Sequence, residues 1–208
     1  MDIYQAIYAR RTARDFKAQG IDFEIIKKIL QAGLRAPTNN HLREWEFVIV
    51  NDPSTRQKLI EKVRKSTTAA EVAAILDGWG CFDLIQRDMY FDGIPKQYKM
   101  LLTAGCLMIP CFRQKWPLLQ ASSLSALNGF ASIWCCIENI LLTAAAEGIY
   151  GVTRIPFDEE TKYLKEVLQS PADYEIPCYI ALGYPADDAP HIKQLSINVE
   201  DRLHFNTW

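Results

Sequence analysis

Ala9-Arg10-Arg11-Thr12-Ala13-Arg14-Asp15-Phe16 crowds three guanidinium groups into five residues beside one hydroxyl. Like charges this close repel unless an anion or carboxylates compensate them. A phosphate would accept their fork-shaped donors and the Thr12 hydroxyl. Pairing with Asp15, Asp2 or more distant acids would also serve, and local spacing does not choose between them. A second stretch, Ala36-Pro37-Thr38-Asn39-Asn40-His41-Leu42-Arg43-Glu44-Trp45-Glu46-Phe47, is a polar turn running straight into an apolar strand. Its hydroxyl, amide, imidazole and backbone amide groups suit the carbonyl and imide edge of a heterocycle, although Asn and Thr also favour a plain capped turn. Together the two segments point to an anion-binding corner beside a pocket for a flat, polar ligand.

Outward from these segments, helical patterns alternate with short strands. Asp2 caps a first helix, with Gln5 at the reciprocal capping-box position and Ile3 and Ile7 on one face. That helix delivers Arg10 and Arg11 into the polar corner. Asp22 opens a second helix through about residue 35, and Pro37 stops it. Residues 46–50 read as a strand, and Asn51-Asp52-Pro53 as a turn in which Pro53 opens the next helix. Residues 106–112 read as a buried strand, with Pro110 indicating an edge position or a bulge. Residues 124–147 form the longest helical pattern, apolar around much of its circumference and so in need of partners on several sides. Residues 158–169 are an amphipathic helix and 178–183 a third strand.

Residues 65–100 hold a helix, then Gly78-Trp79-Gly80, then a mixed aromatic and charged run. An excursion over a ligand pocket has this composition, and so does a surface insertion. After Pro185 the chain becomes an irregular tail, 186–208, whose end is rich in Leu, Phe and Trp. Such a terminus is costly to leave in water and is expected to dock, plausibly on a partner subunit.

With 208 residues and 49% hydrophobic types, one globular domain is expected rather than two. A net charge of −2 gives no reason to expect nucleic-acid binding. The basic cluster Lys62, Arg64 and Lys65 is diluted by Glu61 and Glu71 and reads as a solvated helix face. The opening Met-Asp-Ile-Tyr-Gln lacks the basic and apolar regions of a secretory signal, so a cytoplasmic location is expected. Residues 131–146 are interrupted by Glu138, Asn139 and Thr143, so they read as a core helix and not a membrane span. Of six cysteines, Cys106, Cys111, Cys135, Cys136 and Cys178 lie in apolar runs, where a reduced thiol acts as a small hydrophobe. Cys81 sits in a glycine-flanked segment. There is no Cys-x-x-Cys, and adjacent Cys135 and Cys136 lack zinc-ligand spacing, so no metal is expected.

The three histidines, His41, His191 and His204, form no His-Glu-x-x-His, and no Gly-x-Ser-x-Gly elbow exists. Gly-rich nucleotide loops of the Rossmann and P-loop types are missing as well. Glu138 and Glu147 are candidate buried acids, but no dyad stands out as a general acid/base pair. Chemistry carried by a bound cofactor fits this inventory better than catalysis by side chains.

In order and spacing, the chain resembles the FMN-dependent nitroreductase family over essentially residues 1–208, least so between 65 and 100. Arg10-Arg11-Thr12-Ala13-Arg14-Asp15-Phe16 is similar to that family's Arg-Arg-Ser-x-Arg-x-Phe, and Ala36-Pro37-Thr38 followed by Trp45 and Phe47 to its second element. Glu138-Asn139-Ile140-Leu141-Leu142 with Ala144 to Gly148 resembles its central dimer helix. Ala181-Leu182-Gly183-Tyr184-Pro185 resembles its late core strand, and His204 with Trp208 its closing signature. The resemblance implies a single α+β nitroreductase-like domain whose central, mostly antiparallel sheet is flanked by helices. Two chains would form an intertwined homodimer with FMN at the interface and the tail reaching across. Arg10, Arg11 and Thr12 would hold the flavin phosphate and nearby polar edge. Arg14 would approach the ring's pyrimidine side as an electrostatic tuner, favouring the negative charge that develops on reduction. Thr38, Asn39, Asn40 and His41 would line the cofactor from the partner subunit, and Thr153, Arg154 and Ile155 would form a second flavin-contacting loop. Lys193 is the nearest candidate for the family's late basic phosphate contact, because Ser196 and Ile197 occupy the expected basic stretch.

The implied activity is ping-pong transfer from NADH or NADPH to a small-molecule electron acceptor such as a nitroaromatic, quinone, flavin or activated alkene, with no catalytic side chain assigned. The chain departs from the family at His41 and Arg43, where Asn and Gln are usual, and at Glu44, where Pro is. Deiodinating and ring-destroying relatives carry His at the first of these positions, which leaves the reaction class open. A flavin-binding or redox-sensing protein with little turnover is one alternative. A non-enzymatic dimeric interaction module with a merely structural anion corner is the other.

Overall fold

The computed structural model describes residues 1–116, 118–192 and 196–208. The sheet follows the order β1 (Trp45–Val50), β2 (Cys106–Arg113), β5 (Tyr179–Gly183), β3 (Tyr150–Arg154), and the two-residue β4 (Tyr174–Glu175) pairs with β2 beyond the end of β5. Each of these strand pairs is antiparallel, as expected. β2 explains how a sheet this small organises the chain. Cys106, Met108 and Phe112 face one buried cluster, and Leu107, Ile109 and Cys111 face the other. Side chains alternate across a strand, so one wholly apolar run serves two cores at once.

Helices cover both faces. On the first lie α2 (Phe23–Gly33) and α7 (Asn128–Ala146), whose Ile29, Ile133, Cys136, Ile137 and Ile140 pack against the sheet. On the second, α3 (Pro53–Leu59), α6 (Gln97–Thr103) and α8 (Asp158–Leu168) contribute Leu59, Met100, Leu101 and Leu164. Local chemistry sets their starts. Asp2 and Gln5 form a complete capping box on α1 (Ile3–Ala9), Asp22 caps α2, and Asp52 caps α3 with Pro53 in its first turn. Residues 65–100 resolve mainly into two helices, α4 (Ala69–Gly78) and α5 (Leu84–Gly93). By length and apolarity Leu124–Ala146 would suffice to cross a membrane. Its start is a 3-10 turn, however, and Ile133, Ile137 and Ile140 are buried in the core.

Four expectations need correction. Pro110 is not at an edge, because β2 is flanked on both sides. It falls where pairing with β5 has ended at Met108 and pairing with β4 begins at Phe112, so the ladder is already interrupted there. β3 carries no strand pattern in the sequence, and it takes in Thr153 and Arg154, which the family resemblance puts in a loop. Glu138 and Glu147 are not buried, with side chains 53% and 26% exposed, while Glu160 on α8 is. Cys135, in the same apolar run as Cys136, is exposed where a buried thiol was expected.

Candidate functional site

The arginine segment is laid along the open edge of β3. Arg10 closes α1, after which the chain extends, Thr12 makes a parallel bridge to Gly151, and the Ala13 amide donates to the Gly151 carbonyl at 3.2 Å. An antiparallel bridge from Phe16 to Pro185 continues the attachment. On an extended segment neighbouring side chains diverge, and the three guanidinium groups go to three places. Arg10 Nε lies 3.6 Å from Glu138 Oε1 of α7. Arg11 donates to His191 Nδ1 at 3.1 Å and lies over the Tyr150 ring, 4.7 Å from its centroid. Arg14 turns inward, with a side chain only 14% exposed and Nη1 3.6 Å from Asp92 Oδ2 of α5.

Distant acids therefore supply much of the compensation. Asp15 instead accepts from Lys96 at 2.6 Å, and Asp2 caps α1. One donor is left over. Arg14 Nη1 is buried and has no hydrogen-bond partner among the described residues. Burial pulls the Arg14 pKa down against the opposing fields of Asp92 and Asp15. A buried N–H without an acceptor costs about 1–3 kcal/mol, so an acceptor brought to this atom would relieve a standing penalty.

The second expected segment is a strained turn. Asn40, His41 and Arg43 have φ of 52°, 56° and 51°, left-handed values rare outside glycine and enriched at functional sites. Three contacts hold it there. The Arg43 amide donates to Thr38 Oγ1 at 3.2 Å, the Asn39 amide to Ser132 Oγ at 3.1 Å, and Ser132 in turn to the Asn128 carbonyl at 2.7 Å. The turn is thus fastened to the start of α7. Thr38, Asn39 and Asn40 line a cleft of about 420 Å³ with Trp45 and Phe112 as apolar walls and Gln114, Ser122 and Ser125 among its polar ones. Thr38, His41 and Arg43 border a more open hollow against Arg35 and Leu34 of the α2 end.

Of the third group, Thr153 pairs with Ile180 within the sheet and Ile155 is exposed. Arg154 is buried, and its fork is closed by Glu160, with Nη1 and Nη2 donating at 2.5 and 2.8 Å, while Nε donates to Gln97 at 2.9 Å. Its side chain is committed to the core. Lys193 lies outside the described residues. The Thr12–Gly151 bridge sets the Arg10–Arg14 segment beside β3, whereas none of Arg10, Arg11 and Arg14 lines either cavity at the Thr38–His41 turn. Within one chain the two halves of the expected site stay apart.

Asp92, Lys96, Tyr150 and Ser132 carry no site signal in the sequence, and Glu138 stands out there only as a candidate buried acid, not as the partner of Arg10. Asp92 and Lys96 are an i,i+4 pair that a helix reading could have found, but not the Arg14 and Asp15 they meet.

Comparison with known proteins puts this geometry in context. The family model described as the nitroreductase family matches residues 7–184. The DrgA protein of Synechocystis sp. is 29% identical over 199 residues, covering 91% of this chain and 87% of the relative. An NADH dehydrogenase of Thermus thermophilus is 26% identical over 196 residues, covering 90% and 89%. Among solved structures, a BluB-like flavoprotein from Clostridium difficile superposes with a TM-score of 0.73 at 20% identity over 100% of both chains, a likeness of fold.

Proposed function

The chain belongs to the nitroreductase family, and from that premise we propose that it is an FMN-dependent oxidoreductase taking electrons from NADH or NADPH for nitroaromatic, quinone or related electrophilic acceptors. The buried Nη1 of Arg14 carries this assignment: among the described residues it has no hydrogen-bond acceptor, only the Asp92 carboxylate at ion-pair distance, 3.6 Å, so it is a donor that a ligand acceptor would satisfy. Carbonyl and imide groups on the pyrimidine side of a flavin ring are acceptors of that kind. Arg10 and Arg11 remain partly exposed and, with Thr12, would hold the phosphate by charge-assisted hydrogen bonds. Arg154 fits less well, since Glu160 and Gln97 occupy its donors. Held by Arg10, Arg11, Thr12 and Arg14, FMN would supply the two-electron chemistry that links the dinucleotide to the second substrate.

The protein's own part is to bind, orient and exclude. The separation of the arginine edge from the Thr38–His41 turn supports a homodimer in which each site takes its turn from the partner subunit. Exposed Ile3, Tyr4, Ile7 and Tyr8 on α1, and Leu203, Phe205 and Trp208 in the tail, offer the apolar surface such an assembly would cover. The cleft walled by Trp45 and Phe112 suits a flat acceptor. Covalent catalysis by the buried thiols is disfavoured, as burial pushes Cys106 and Cys111 up to about 11 and Cys136 to about 12. Six free thiols go with a reducing, cytoplasmic setting. The similarity to an NADH dehydrogenase of Thermus thermophilus supports the dinucleotide as electron donor.

The test is the visible spectrum of the purified protein, recorded anaerobically before and after NADH or NADPH. Flavin bands that bleach with one dinucleotide are expected. Bound flavin resisting both would favour a sensing role, and no flavin even after added FMN would overturn the assignment.

A further inference from the structure

We propose that Asp92 and Lys96, carried by the 65–100 excursion, are positioning residues that set the effective charge of Arg14 and thereby the redox potential of bound FMN. This rests on the assignment of Arg14 to the flavin ring.

Four charged groups form a chain that runs from Arg14 through Asp92 and Lys96 to Asp15. Arg14 Nη1 lies 3.6 Å from Asp92 Oδ2, while Lys96 Nζ donates to Asp92 Oδ1 at 2.5 Å and to Asp15 Oδ2 at 2.6 Å. Formal charges cancel: two cations, two carboxylates. The side chains of Arg14, Asp92, Lys96 and Asp15 are 14%, 24%, 25% and 20% exposed, so water and salt screen the cluster weakly. The Gly93 backbone lies against the guanidinium so closely that an added Cβ would fall 3.1 Å from Cζ and Nε.

Asp92 thus divides its two oxygens between a cation that faces the flavin and one that does not. Burial works against a charge on Lys96, but its hydrogen bonds to Asp15 and Asp92 overcome this and hold the ammonium. While Lys96 occupies Oδ1, Asp92 cancels only part of the field of Arg14. The two partners therefore act on the potential with opposite signs. Removing the Asp92 charge strengthens the positive field at the flavin and favours its reduced, negatively charged state. Removing the Lys96 charge leaves Asp92 wholly to Arg14 and disfavours that state.

The test uses FMN-loaded Asp92→Asn, Asp15→Asn and Lys96→Gln variants, with the midpoint potential measured by anaerobic dye equilibration. Apoprotein melting is followed alongside. Asp92→Asn and Asp15→Asn are expected to raise the potential, binding reduced FMN about fivefold or more tightly relative to oxidised FMN than the parent does. Lys96→Gln is expected to lower it by a similar factor, and Lys96→Arg to restore it. Loss of packing alone would lower melting temperatures without opposite shifts in potential. Unchanged potentials, or shifts of one sign in both the Asp and Lys variants, would overturn the proposal while leaving FMN binding intact. Should the parent protein bind no FMN, the functional assignment falls and this inference with it.

Discussion

Arg154 shows how little a residue's type says about its role. In the sequence it stands where a ligand contact is expected; in the fold it forms a two-bond fork with Glu160 inside the second core. A buried pair of this kind is a small asset beside an apolar packing but costly to break, since the survivor is left as an unpaired buried charge. Glu160→Ala should therefore destabilise the fold by about 3–5 kcal/mol in urea denaturation. Exchange of both residues for apolar ones of similar size should recover most of that. If the single variant melts like the parent, the fork is not intact in solution. Gly151 is held by a different constraint. A Cβ there would meet the Ala181 carbonyl and the Leu182 side chain of the neighbouring strand. Gly151→Ala should cost about 1–3 kcal/mol and loosen the bridge that carries Thr12, read as weaker FMN retention.

At the scale of elements, the helix starts are the most locally determined feature. At α3, hydrogen bonds from Ser54 and Thr55 pull the Asp52 carboxyl down to about 2 from its ordinary 3.8. Because the folded-state value is the lower one, this cap stabilises the protein fully above about pH 4. Its contribution fades as pH falls from about 4 towards 2. Asp52→Ala should remove that portion of the acid dependence, so parent and variant stability curves should draw together below about pH 4 and meet near pH 2. Parallel curves throughout would count against the cap. α2 and α7 illustrate the opposite case, in which neither helix alone specifies the contact. They approach closely because residue 33 is glycine, where a Cβ would lie 2.7 Å from Ile140 Cγ1. The packing of α7 follows from that approach and from the alternation along β2, not from its own nearly all-round apolarity.

For the whole molecule, the proposed homodimer makes a prediction from one side chain. Cys106, Cys111, Cys136 and Cys178 are buried, and burial raises their pKa, so they should resist a thiol reagent at neutral pH. Cys81 and Cys135 are the accessible pair in one chain. If α7 lies at the dimer interface, Cys135 should be shielded and Cys81 alone should react in the native protein, while all six react after denaturation. Sedimentation should give about twice the 23.8 kDa of one chain. Equal reactivity of Cys135 and Cys81 in that dimer would place the interface elsewhere.

What the sequence by itself determined was local. Asp2, Asp22 and Asp52 cap the helices that follow, Pro53 opens one, and the apolar run at 106–112 is a strand, because a few neighbouring residues decide each of these. The nitroreductase signature was legible for a related reason, since it is carried by short segments in a set order. The tertiary structure decided what depends on distant partners. β3, with Gly151 and Arg154 in five residues, shows no strand pattern of its own and exists through its pairing with β5. The spacing of the three arginines suits either one anion site or pairing with acids, and does not choose between them. An extended backbone and long side chains sent Arg10 to α7, Arg11 to His191 and Arg14 to Asp92. Charge placement of that kind is set by which elements meet, and the energy of meeting is spread over two cores that no local stretch of sequence encodes.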